Sequence, residues 1–194
     1  MGKVGEIKVK KYGIEWSKIA DSFGLNWAVE NEVSDFLYGF TRMVKPMNVL
    51  EIGTFIGVSA MGIGFGMKDN EFGKLLTVDV KDYGQEINIK KNKLEKQVEC
   101  AYGDIVDVAK EKLQNKKGFY DFAFIDDGHE YEPCTRDLEI CHSRIRRFGY
   151  ILGHDILSIP TVEEAVNAFM LRHPNEYERT LISSANGIFI LRKR

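Results

Sequence analysis

The sequence predicts an α/β fold: a doubly wound sheet of seven strands, mostly parallel, that ends in an antiparallel hairpin. Three observations carry this. Short apolar runs alternate with stretches of helical period along most of the chain, as βαβ units require. Five of these runs are almost continuously apolar, which suits strands covered by helices on both faces. The last two, "YERTLIS" and "IFILRKR", are joined through Ser-Ala-Asn-Gly, a turn sequence that returns the chain beside itself.

Taken in order, residues 32–44 read as an amphipathic helix with Val33, Phe36, Leu37, Phe40 and Met43 on one stripe, stopping before Pro46. Residues 48–52 form the first strand, and a helix begins near Val58. The next strands are "LLTVD" ending at Asp79 and "VECAY" ending at Tyr102. Asp104 then starts a helix whose inward residues are Ile105, Val108, Ala109 and Leu113. "YDFAFID" ends at Asp126 and "YILGHD" at Asp155. Between them Pro133 marks a first helical turn, and Cys134, Leu138, Cys141 and Ile145 recur at helical spacing as core residues. Thr161 and Glu164 make a capping box for a helix that turns Val162, Ala165, Val166, Phe169 and Met170 inward.

The chain has 194 residues, 44% hydrophobic and 29% charged, with four prolines, which is the composition of a packed globular protein. It reads as one domain over residues 1–194, with a helical arm over 1–44 and the sheet core over 45–194. The start lacks the apolar core of a signal peptide, and no run approaches the ~18 apolar residues of a membrane helix. A cytoplasmic, soluble protein without membrane partners is the expectation. Cys100, Cys134 and Cys141 are odd in number and lack C-x-x-C spacing, which favours reduced thiols. A net charge of -2 gives no broad basic surface, so nucleic acid is not an expected partner. The basic stretch over residues 90–96 and the terminal Arg-Lys-Arg read as a solvated helix face and a frayed tail.

Two glycine clusters stand close together in "EIGTFIGVSAMGIGFG". The first, Gly53 and Gly57, sits between a strand and a helix, where a cofactor loop belongs. Phe55 occupies the second glycine position of a dinucleotide fingerprint and the third glycine is missing, which leaves poor room for a pyrophosphate. Asp79 follows Gly57 by 22 residues, near the spacing at which a strand-end acid meets ribose hydroxyls. The loop thus suits a nucleoside without a pyrophosphate. Gly62, Gly64 and Gly66 fall inside the next helix, where each costs roughly 1 kcal/mol relative to alanine and is justified by close packing against the sheet.

"VLEIGTFIGVSA", "TVDV" and "YGD", in this order, resemble the donor-binding motifs of class I S-adenosylmethionine-dependent methyltransferases. The first is similar to the variant found in metal-dependent O-methyltransferases of the catechol and caffeoyl-CoA type. The resemblance runs over residues 45–192 and implies a Rossmann-like fold with a terminal hairpin. It also implies that Glu51, Gly53, Thr54, Gly57, Ser59, Asp79, Val80, Gly103 and Asp104 hold the methyl donor S-adenosylmethionine, with Asp126 at the junction of donor and acceptor.

"FIDDGHEYEPCTRDLEI" and "RFGYILGHDIL" form a second constellation. If the strands ending at Asp126 and at His154-Asp155 are neighbours, their side chains converge at the carboxyl edge of the sheet. Converging oxygen ligands suit magnesium, calcium or manganese, and an imidazole leans toward manganese. The resembled family has an acidic-amide pair where this chain has His154-Asp155. The pattern "IDDGHEYE...DLE...GHD" is more similar to the branch of cephalosporin-hydroxylase-like proteins and macrolide-sugar O-methyltransferases, in which a histidine corresponds to His129.

On this reading Asp126, His154 and Asp155 hold Mg2+ or Mn2+, and His129 and Asp126 are the catalytic pair, His129 as general base. The plainer alternative has Asp126 and Asp127 capping the following helix with His129 exposed. His142 and His173 are read as a helix-surface residue and a loop residue. The acceptor is expected to be a small hydroxylated molecule lying under the segment before Val44 and near Trp27, Tyr131 and residues 156–160, with Trp27 and Tyr12 the weaker contacts. The short hairpin leaves little chain for a lid, so specificity falls to the amino-terminal arm or to a second subunit of a homodimer or higher homo-oligomer. Methylation of RNA or protein, and donor binding without catalysis, are the rival readings.

Overall fold

The computed structural model describes residues 28–194, so Tyr12, Trp27 and most of the amino-terminal arm lie outside the described residues. The elements run α1 (Asn31–Val44), β1 (Asn48–Ile52), α2 (Val58–Asn70), β2 (Lys74–Asp79), α3 (Gln85–Lys91), β3 (Val98–Tyr102), α4 (Ile105–Lys112), β4 (Tyr120–Ile125), α5 (Tyr131–Arg144), β5 (Ile145–Gly153), α6 (Pro160–Arg172), β6 (Tyr177–Ile182) and β7 (Ile188–Lys193). All seven strands join one sheet in the order β3-β2-β1-β4-β5-β7-β6. Strands β1 to β5 pair in parallel, and β7 runs antiparallel to both β5 and β6.

Alternation along β1 explains why both faces are apolar. Val49 packs into one core with α1, α2 and Ile89 of α3, while Leu50 and Ile52 pack into a second core with α4, α5 and α6. The chain winds one way from β1 to β3 and the other way from β4 onward. The switch point lies between β1 and β4, and the crevice beyond their carboxyl ends is where such sheets bind ligands.

Several local expectations change. Gly62 and Gly66 pack against α1 rather than the sheet: a Cβ on Gly62 would lie 2.7 Å from the Ser34 carbonyl oxygen, and one on Gly66 2.6 Å from Thr41 Cβ. Only Gly64 meets the sheet side, at Leu94 and Val98. Met43 is 75% exposed and lies off the stripe of α1 that buries Val33, Leu37 and Phe40. Ile145 is the first residue of β5 and not the last of a helix. Strands β4 and β5 stop at Ile125 and Gly153, so Asp126, His154 and Asp155 stand just past the strand ends.

The capping box at Thr161 does not form. Pro160 takes the first helical position of α6, and the Thr161 hydroxyl donates instead to the His129 carbonyl oxygen at 2.6 Å. The basic stretch is helical only as far as Lys91. The carboxyl terminus is not frayed: Arg192 and Lys193 belong to β7, and Arg192 pairs with Glu178 at 3.2 Å. Among the described residues no helix is long and apolar enough to cross a membrane.

Candidate functional site

At the switch point Ile52 leads straight into Gly53, whose φ of +91° suits glycine. A Cβ there would sit 2.0 Å from the Asp126 carbonyl oxygen, so the loops after β1 and β4 approach each other closely where Gly53 has no side chain. Phe55 also lies in the left-handed region, at φ +46°, which is costly for an aromatic residue. Asp79 compensates. Its Oδ2 accepts the amides of Thr54 at 2.9 Å and Phe55 at 2.7 Å, and the Phe55 ring stands edge-on to Tyr83 with centroids 5.1 Å apart. Gly57, at φ +89°, then opens α2.

This turn forms one wall of a cleft of about 590 Å³, within the range of small-molecule sites. Gly53, Thr54, Ser59, Asp79, Val80 and Asp126 all line it. Glu51 does not: it shares the α1–α2 face with Val49, is fully buried beneath the loop, and neither carboxylate oxygen makes a well-formed hydrogen bond. Burial pushes its carboxyl up to about 8, against the pull of the Thr77 and Ser59 hydroxyls. Gly103 and Asp104 also lie outside the cleft lining. Gly103 donates its amide to the Asp79 carbonyl, while Asp104 caps α4 by accepting the Val106 amide at 2.7 Å and meets Arg136 at 3.3 Å.

The opposite wall holds Asp126, His129, His154 and Asp155. Strands β4 and β5 are parallel neighbours, as the sequence reading required, and they set these side chains together. His154 Nδ1 faces Asp126 Oδ1 at 3.7 Å and Asp155 Oδ2 at 3.5 Å. Its Nε2 lies 2.9 Å from Glu30 Oε2, close but without hydrogen-bond alignment. His129 Nε2 contacts Asp155 Oδ2 at 2.8 Å and Asp126 Oδ1 at 3.7 Å, so it is not merely exposed beside a helix cap. Asp155 itself sits at φ +60°, a backbone conformation that aspartate tolerates better than most residues.

The electrostatics are those of a proton-filled acidic site. Contacts with Asp126 and Asp155 push His129 up to about 10. Burial opposes charge on His154, yet the same two carboxylates outweigh it and push that imidazole up to about 10 as well. Asp155, desolvated but faced by both imidazoles, is held well below the usual carboxylate range.

One ligand atom each from Asp126, His154 and Asp155 lies within 4.8 Å of the others, and the donor set fits a divalent cation. Glu30 behind the far nitrogen of His154 supplies the carboxylate that metal-bound imidazoles commonly have at that position. Sequence reasoning missed Glu30 and also Asn186, whose side-chain amide donates to Glu30 Oε1 from the β6–β7 turn. Neither carries a motif; the only signal is that Glu30 precedes α1 and Asn186 belongs to the Asn-Gly of the hairpin. Of the expected acceptor contacts, Tyr131 is 40% exposed at the start of α5 and Leu157 is exposed, whereas Ile156 is buried.

A larger cleft, about 760 Å³, opens at the opposite edge of the sheet among Lys74, Lys96, Lys112 and Glu99. It has no glycine turn, and Lys112 is already paired with Glu99 at 2.6 Å, so the chemistry points to the switch-point cleft.

Comparison with known proteins agrees. The family model described as "Methyltransferase domain" matches residues 50–156, more than half of the chain. Caffeoyl-CoA O-methyltransferase 2 of Petunia hybrida is 30% identical over 96 residues, covering 47% of this chain and 39% of the relative. Caffeoyl-CoA O-methyltransferase 1 of Nicotiana tabacum matches to the same extent. The match thus spans about two fifths of the length of these curated relatives. Among solved structures, the O-methyltransferase from Bacillus cereus in complex with SAH superposes with a TM-score of 0.78 at 19% identity, covering 92% of this chain and 88% of that one. The O-methyltransferase TomG from Streptomyces achromogenes in complex with SAM gives 0.78 at 17% identity, covering 94% and 91%. With the family match over the Gly53 turn and both strand ends, and the shared fold around them, the chain belongs to the methyltransferase-domain family.

Proposed function

We propose that the chain is an S-adenosylmethionine-dependent O-methyltransferase acting on a small hydroxylated molecule with the help of Mg2+ or Mn2+. One observation carries the reading: the Gly53 turn braced by Asp79 and the Asp126, His154, Asp155 cluster face each other across a single cleft. Methyl transfer from a sulfonium is an in-line displacement, so the protein's task is to align donor and acceptor and to favour the deprotonated oxygen.

Asp79 Oδ2 is engaged by the loop amides, leaving Oδ1 for the donor's ribose hydroxyls, and the backbone of the turn approaches the donor closely because Gly53 has no side chain. When bound, the cation held by Asp126, His154 and Asp155 supplies a Lewis acid that lowers the acceptor hydroxyl's pKa. His129 is charged while Asp126 and Asp155 face it bare; with those carboxylates engaged elsewhere it would release that proton to solvent, and the neutral ring could then take the acceptor's proton. The proposed setting is cytoplasmic, in keeping with three free cysteines, and the proposed assembly is a homo-oligomer, in keeping with the exposed Met43, Met47 and Phe72.

The test is methyl transfer from S-adenosylmethionine across catechols and other hydroxylated acceptors, with and without chelator. The expected result is transfer that chelator abolishes and Mn2+ or Mg2+ restores. Donor binding with no transfer to any hydroxylated acceptor overturns the reading.

A further inference from the structure

Charge is placed unevenly in this fold. The strand ends at the switch point carry Asp79, Asp126 and Asp155, while the opposite, amino edge of the sheet is basic. One cation per strand marks it: Lys96 precedes β3, Lys74 opens β2, Lys45 precedes β1, Lys117 precedes β4, Arg147 lies early in β5, and Arg194 follows antiparallel β7. All six are exposed. Neighbouring strands stand ~4.8 Å apart, so the row from β3 to β7 spans roughly 24 Å. A net charge of -2 hides this separation, which is why the sequence reading expected no nucleic-acid partner.

Helix ends attract cations through their dipole, but of these six only Lys45, which caps α1, stands at one. The carboxylates of the edge are largely engaged. Asp121 accepts the Met47 and Asn48 amides and the Arg146 guanidinium, Glu99 meets Lys112 at 2.6 Å, and Glu178 lies between Arg192 and Arg194. Among the described residues Lys74, Lys96, Lys117 and Arg147 form no ion pair, and Glu95 is the one acid of the groove that forms none.

The same edge holds a groove and two surface rings. About 760 Å³ open between Lys74, Lys96 and Lys116, with Phe119 on the wall. Phe119 is 37% exposed, and Lys116 Nζ stands 3.8 Å over its ring. Its amide donates to the Arg144 carbonyl at 2.8 Å, which sets the loop before β4 beside the start of β5. There Phe148 is 46% exposed at φ +63°, a conformation costly for an aromatic residue, with the Arg147 guanidinium 4.7 Å from its ring centre. Rings held at the surface among cations are platforms for stacking.

We propose that this edge docks single-stranded RNA, with phosphates on the row of lysines and arginines and bases on Phe119 and Phe148. A groove with charge on its walls suits a polymer that enters it, whereas a flat bilayer reaches only its rim. The edge lies across the sheet from the methyl-transfer cleft. RNA held here is therefore a docking partner and not the methyl acceptor, and the proposal does not rest on the proposed reaction.

A fluorescein-labelled oligouridine of about a dozen nucleotides, titrated with the full chain and read by anisotropy, tests it. Binding should weaken with salt at a log-log slope of about -2 to -3, as three or four phosphate contacts give. Lys117→Glu with Arg147→Glu should weaken it at least tenfold and flatten the slope by about 1.4 or more. Phe148→Ala should weaken it roughly fivefold or more at an unchanged slope. These positions are exposed, so the variants should fold. Lys81→Glu, just past the carboxyl end of β2, should leave binding within about twofold. No binding at low salt overturns the proposal, as does an equal loss from Lys81→Glu, which would make the attraction one of net charge. Tighter binding of oligothymidine of the same length, or capture by anionic lipid vesicles without oligouridine binding, overturns the choice of RNA.

Discussion

Removing the Asp79 carboxylate separates its bracing of the Gly53 turn from the donor-binding role proposed for the same side chain. Its Oδ2 accepts two amides, from Thr54 and Phe55, at 2.9 and 2.7 Å in a setting where the residue is only 7% exposed. Hydrogen bonds to a charged group contribute about 1.5–3 kcal/mol each, so Asp79→Ala, which orphans both amides, should destabilise the fold by roughly 3–5 kcal/mol. It should also release Phe55 from its left-handed conformation. Asp79→Asn keeps an oxygen for the amides but loses the charge, so its cost should be about 1–2 kcal/mol. Donor affinity should behave differently. Both variants lack the carboxylate offered to the ribose, and both should bind S-adenosylmethionine roughly 10- to 100-fold more weakly. Guanidinium unfolding of the full chain gives the first quantity and calorimetric donor titration the second. A wild-type unfolding midpoint for Asp79→Ala would refute the bracing of the turn. Unchanged donor affinity in Asp79→Asn would refute the placement of the donor.

Three further outcomes follow from the same geometry. Gly53→Ala puts a Cβ 2.0 Å from the Asp126 carbonyl oxygen at φ +91°, so it should cost about 3 kcal/mol or more and abolish donor binding, checked by unfolding and titration. Glu51 is protonated in both folded and unfolded chains below its ordinary 4.5; above that the unfolded chain ionises while the fold holds the proton to about 8. Stability should therefore fall as pH rises from about 4.5 to about 8 and level off beyond it, and Glu51→Gln should flatten that slope in a pH series of unfolding curves. His129→Ala should leave donor binding intact and lower turnover by ~100-fold or more in the transfer assay; unchanged turnover would remove the base assignment.

The sheet and the strand-end chemistry were legible because both follow from short-range pattern. Alternating apolar runs placed β1 to β7, and two of those runs carried Asp126 and His154-Asp155 to adjacent ends of parallel neighbours. What escaped depends on side chains brought from distant parts of the chain. Glu30 and Asn186 are 156 residues apart and meet only because α1 and the hairpin turn both overhang the cleft. The partner of Gly62 and Gly66 was misread for the same reason, since a glycine inside a helix says that something comes close but not what. Local rules also lost to competing local chemistry at Thr161, where Pro160 already occupies the first helical position. Glu51, Gly103 and Asp104 stand in their motifs yet outside the cleft lining: one supports the loop from below, and the others adjoin the Asp79 strand end or cap α4.

The central claim is that one cleft between the ends of β1 and β4 receives the methyl donor beside a cation cluster. A crystal structure of the full chain with S-adenosylhomocysteine and Mn2+ tests it most directly. The predicted density has the ribose on Asp79, the amino-acid portion along the Gly53 turn, and the ion on Asp126, His154 and Asp155. A ligand bound elsewhere, or an ion that leaves these three residues uncoordinated, would contradict it.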